Sequence, residues 1–128
     1  PIHPNRAIER IAIEFGSAEP ETLIARLREI AAEKVRGEGR HDLTENVEAV
    51  VHSYDVTEAL GIAIRLSPRS TAAAAMQRLR TSAKVRRRAS EIEFLATDAR
   101  WCIGRGRPVE GTAGEILMDL YGRRPREA

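Results

Sequence analysis

The chain has 128 residues, 42% of them hydrophobic but only 4% aromatic, with a formal net charge of +2 and one cysteine. A lone cysteine excludes an internal disulfide and a secreted disulfide scaffold; no apolar run approaches the roughly 18 residues of a membrane span, and the first residues lack the basic and apolar stretches of a signal peptide. A core limited to Ala, Ile, Leu and Val points to a small helical domain rather than a β-sandwich, and the Arg and Ala bias points to a bacterial, cytoplasmic protein.

Pro4-Asn5 gives the first helix start; Ile8, Ile11, Ala12 and Phe15 follow at helical spacing, and Gly16 is a natural stop. Ser17 or Glu19 opens a second helix, with Pro20 tolerated in its first turn. Leu23, Ile24, Leu27, Ile30, Ala31 and Val35 form its apolar stripe, and Gly37 ends it. The segment "GEGRH", residues 37–41, is a polar turn. Asp42-Leu-Thr-Glu45 has the form of a capping box ahead of Val47, Val50, Val51 and Tyr54. Asp55-Val-Thr-Glu58 repeats that form, so a new helix is expected from Asp55 to about Leu66, before Ser67-Pro68. Its last part, "GIAIRL", also alternates like a strand.

From Ser70 to Ile103 no residue breaks a helix. Ala72, Met76, Leu79 and Ala83 form one stripe; Val85, Ala89, Ile92, Ala96, Ala99 and Ile103 form a second, out of phase with the first. A straight helix of this length would span roughly 50 Å, too long for a compact domain of this size. A break or bend near 81–88, or a second subunit over the far half, is therefore expected. "GRGRP", residues 104–108, breaks the pattern. Thr112-Ala-Gly-Glu115 is a further capping box, leading into Ile116, Leu117, Leu120 and Tyr121, with Gly122 as stop and a basic tail after it. The expected architecture is all-α: one domain over 1–128, a compact bundle of five or six helices, with a long or bent helix at about 70–103.

The charges are unevenly spread. Residues 59–90 hold 8 basic side chains and no acidic one, whereas residues 1–58 hold 12 acids against 7 bases. Such asymmetry implies an external anionic partner or internal pairing with the acidic first half. The segment "RLSPRST", residues 65–71, resembles the turn and recognition-helix start of bacterial helix-turn-helix regulators. That resemblance implies a DNA-reading motif at about 56–80, with Leu60, Gly61, Ile64 and Leu66 along the first helix and turn and Ala72, Ala75 and Met76 facing inward. Arg69, Thr71 and Gln77 would approach bases, and Arg78, Arg80, Lys84, Arg86, Arg87 and Arg88 would hold phosphates. Arg65 stands where such motifs usually carry glycine, and Ala73 and Ala74 can read little beyond a thymine methyl. The four alanines at 72–75 equally suit close packing between helices. Arg87 and Glu91 have the spacing of a helical ion pair. No aromatic residue interleaves the cluster, which argues against base stacking on single strands.

Other candidates are weaker. His41-Asp42 with His52 and Asp55 resembles the "HD" pattern of metal phosphohydrolases, but the spacing completes no ligand set, and Asp55 is explained as a helix cap. His3 lies in a terminal arm. Pro1-Ile2 resembles the start of tautomerases, but a helix signal follows where those chains enter a strand. Cys102 beside Ile103 is expected to fill the core. "GRGRP" lacks the Gly-Lys-Ser/Thr ending of a phosphate loop. Trp101 is a candidate partner-binding anchor. No metal, cofactor, small-molecule substrate or catalytic residue is implied. The sequence is read as a DNA-associated regulator or accessory factor, dimeric and non-enzymatic. The rival is an assembly or adaptor protein, such as a phage or plasmid component or a helical partner of an acidic protein.

Overall fold

The computed structural model describes residues 4–123, so Pro1, His3 and the basic tail beyond Arg123 lie outside the described residues. It contains α1 (Pro4–Gly16), α2 (Pro20–Val35), α3 (Leu43–Ala59), α4 (Pro68–Thr81), α5 (Ala83–Ala89), β1 (Ile92–Ala96), β2 (Trp101–Gly104), β3 (Arg107–Gly111) and α6 (Ala113–Leu120). The chain divides into two units, one up to His41 and one from Asp42. The expectation of an all-α bundle is overturned by the three-stranded mixed sheet.

The first unit holds α1 and α2. Gly16 ends α1, and Pro20 sits at the start of α2, as their sequences dictate. Arg26 pairs with Glu29 and, at 3.9 Å, with Glu33. The apolar stripe of α2 buries no residue.

The core lies in the second unit. Asp42 caps α3 by accepting from the Glu45 backbone N–H at 2.8 Å. The second start signal is not used: α3 runs through Asp55 to Ala59. A capping sequence inside an already nucleated helix loses to the apolar face, here Val50, Val51 and Tyr54, which is buried across that point.

The long helix expected at 70–103 does not form. It stops at Thr81, because Ser82 turns extended (φ −121°, ψ 112°) and caps α5 by accepting from the Val85 N–H at 3.3 Å. That break accounts for the phase jump, and it removes the rod that called for a bend or a second subunit. The buried face of α4 is Thr71, Ala74 and Ala75 rather than the expected stripe, whose Met76 is 49% exposed. The alanines serve close packing.

Beyond α5 the chain is a sheet, ordered β2-β1-β3. β1 pairs antiparallel with β2, placing Phe94 opposite Ile103, and parallel with β3, placing Phe94 opposite Val109. Strand alternation buries Phe94, Ala96 and Ile103 on one face. Cys102 is consequently exposed, not a core filler as a helix would have made it. Parallel strands need a return segment, and here β2 is that segment. From β2 the chain crosses the start of β1 through Gly104-Arg105-Gly106. Arg105 N–H donates to Ala89 O at 2.8 Å and Arg107 N–H to Glu91 O at 2.9 Å.

The Thr112–Glu115 capping box is formed, and Asp98 adds a bond by accepting from Ala113 N–H at 2.7 Å. Phe94, Ile116, Leu117 and Met118 are the largest fully buried apolar side chains, each contributing roughly 2 kcal/mol by leaving water. Tyr54 of α3 lies against α6 at Gly114, where an added Cβ would come within 2.7 Å of the ring. Gly114→Ala should therefore cost about 2 kcal/mol, by displacing the Tyr54 ring from a packed core. Urea denaturation of the variant measures it.

Candidate anion-binding surface

The helix-turn-helix geometry is absent. Helices α3 and α4 are joined by residues 60–67, outside helix and strand, where that motif needs a turn of three or four residues. The connection is held by Ile64 and Leu66, which pack on the core, while Arg65 between them is exposed. Thr71 is fully buried. Its hydroxyl is engaged with Pro68 O at 3.0 Å and accepts the Trp101 indole N–H at 3.0 Å. Neither it nor the Trp101 N–H is presented to a ligand. Trp101 is half-buried and packs against the core. Arg69 is exposed on the first turn of α4, and Gln77 is half-buried.

The basic cluster divides between two sides of the unit. On one side Arg86 folds back over the end of α4, donating to Arg80 O at 2.7 Å. This bond satisfies a carbonyl that a helix end leaves open. Arg86 and Arg105 line an open depression of about 430 Å³, floored by Leu79, Ala89 and Gly104. Arg80 and Arg87 are exposed. Among the described residues neither takes part in an ion pair, and the Arg87–Glu91 pair does not form because α5 stops at Ala89.

On the other side Arg88 makes a two-pronged pair with Asp119, at 3.0 and 2.8 Å, and stacks 5.3 Å over the Phe94 ring. The hydrogen bonds that Arg88 donates to Asp119, more than their Coulomb attraction, raise its pKa further above the ordinary value against the opposing effect of burial. Arg78 donates through Nε to Leu120 O at 3.0 Å and stacks 5.1 Å over Tyr121. Burial pushes the Tyr121 hydroxyl up from its usual range, and it donates to Ala74 O at 2.9 Å. Lys84 is exposed and has no ion pair among the described residues.

The remaining sequence candidates do not converge. Asp42 caps α3, while His52 lies between Glu48 at 2.9 Å and Asp55 at 3.2 Å, and Arg123 reaches the same Asp55 at 3.2 Å. Among the described residues no group of three or more His, Cys, Asp or Glu side chains is placed to hold a metal ion. No helix there is long and apolar enough to cross a membrane.

Sequence reading missed Arg105 as a member of the basic surface. Its only signal was the "GRGRP" breaker, whose return to Ala89 depends on the unforeseen sheet. Asp119 was also missed, since an acid inside the apolar run of α6 gives no hint of its partner 31 residues earlier. Comparison of the chain with family models, curated proteins and solved structures finds no match.

Proposed function

We propose that the unit from Asp42 onward is a non-enzymatic nucleic-acid accessory module that holds the phosphate backbone of duplex DNA. It reads charge rather than sequence, because no recognition helix is available to enter a groove. The carrying observation is the exposed group Arg80, Arg86, Arg87 and Arg105, none of which pairs with a carboxylate among the described residues. Arginine forks suit phosphate oxygens, and unpaired exposed arginines bind them without first breaking an internal ion pair.

Four phosphate contacts should make affinity for a labelled duplex fall about a hundredfold between about 50 and 200 mM salt, measured by fluorescence anisotropy. Replacing Arg80, Arg87 and Arg105 by Glu together should abolish binding while leaving the circular dichroism unchanged. Undiminished binding of that variant, or affinity indifferent to salt, would sink the reading. An adaptor role is the second reading. It is favoured by the apolar Val56, Leu60 and Ile62, 57%, 66% and 52% exposed around the end of α3, and it requires a partner that binds with those residues intact and the arginines reversed.

A further inference from the structure

A second, smaller cavity of about 200 Å³ is lined by Arg78, Ser82, Lys84, Arg88 and Asp119 and shares no lining residue with that depression. We propose that it is a binding site for a single phosphate group, either the free ion or a small monoester. The site uses none of the four arginines of the duplex-binding surface and stands whether or not that reading holds.

Charge comes first. Among the described residues three cations line the cavity against one carboxylate, and Asp119 is already committed to both terminal nitrogens of Arg88. Arg78 and Lys84 have no counter-charge in the cavity among the described residues, and their two charges match the near-dianionic phosphate monoester of neutral pH.

Donor geometry comes second. Arg78 is fixed in place by its Nε bond to Leu120 O and by Tyr121 beneath it. Its terminal NH groups make no hydrogen bond among the described residues. The Ser82 Oγ accepts from Val85 N–H, so its own O–H remains available to donate. Lys84 adds three further donors on a mobile stem. Arg88 is locked, contributing field rather than contacts. Fixed guanidiniums need little ordering on binding, which favours affinity.

Size comes third. The volume is several times the roughly 30 Å³ share of a water molecule, enough for a tetrahedral oxyanion with its waters.

The test titrates the whole chain with inorganic phosphate, and separately with ribose 5-phosphate, against sodium chloride at matched ionic strength. The Arg78 Nε–H resonance and calorimetry are the readouts. Phosphate should saturate and shift that resonance where chloride does not. Lys84→Glu, at an exposed position, should weaken phosphate binding at least about tenfold, Lys84→Arg should retain it, and Arg87→Glu should leave it unchanged. Ribose 5-phosphate binding as tightly as the inorganic ion assigns the site to esters; weaker binding assigns it to the free ion. Phosphate and chloride giving the same response, or Lys84→Glu binding like the native chain, overturns the proposal.

Discussion

Gly106→Ala is expected to cost on the order of 4 kcal/mol, a large part of the roughly 5–15 kcal/mol that holds a domain folded. Two costs combine. The backbone there has φ +120°, a region in which a side chain is strained by roughly 1–3 kcal/mol. An added Cβ would also stand 2.2 Å from the Glu91 carbonyl oxygen and 2.5 Å from its carbon. These are backbone atoms at the start of β1, and they cannot swing aside as a flexible side chain could. Relief requires lifting the crossover off β1, which breaks the Arg107 N–H bond to Glu91 O and starts to unzip β3. Gly61→Ala separates the two costs. Its φ is +65° with nothing within 4 Å of an added Cβ, so it should lose only about 1 kcal/mol. Urea denaturation of both variants, followed by circular dichroism, checks this. Equal losses at the two sites would mean that the close crossing does not exist in solution.

Phe94→Ala is expected to cost about 4 kcal/mol, within the usual range for a buried aromatic. The ring is completely buried at the centre of β1, the strand that pairs with both of the others. Its removal leaves a cavity beneath α6 and also takes away the surface on which Arg88 stacks. Phe94→Leu should lose about half as much, since volume is largely kept while the ring face is lost. The comparison is read from denaturation midpoints at constant slope. A loss below about 1.5 kcal/mol for the alanine variant would show that the core is not organised around β1.

The starts of α1, α2 and α3 could be read from the sequence because each rests on local chemistry, whereas the helix expected from Asp55 to Leu66 and the continuation of α4 past Thr81 were not realised. Pro20 opens α2, Gly16 closes α1, and Asp42 caps α3. The Thr112–Glu115 box worked for the same reason. The sheet stayed hidden behind a coincidence of spacing. Val85, Ala89, Ile92, Ala96, Ala99 and Ile103 step by three and four, yet Ile92, Phe94 and Ala96 also step by two. Only the second period is realised beyond Ser90. The turn into β2 gave no warning either, since its left-handed residue is Arg100 (φ 54°) rather than glycine. Pro108 is compatible with a strand because β3 lies at an edge.

The basic residues of α4 and α5 were found by composition alone, but Arg105 and the division of the cluster between two cavities were not. That depends on the break at Ser82, which lets Lys84 and Arg88 line the cavity with Arg78 while Arg86 folds back over α4. Thr71 shows the converse error. A polar residue at a supposed recognition position proved to be an interior acceptor for an indole proton.

That indole belongs to the chain's single tryptophan. Trp101 bridges β2 to α4 across 30 residues of sequence, so the molecule carries a built-in optical reporter of one long-range event. Its emission should follow the docking of the sheet on α4.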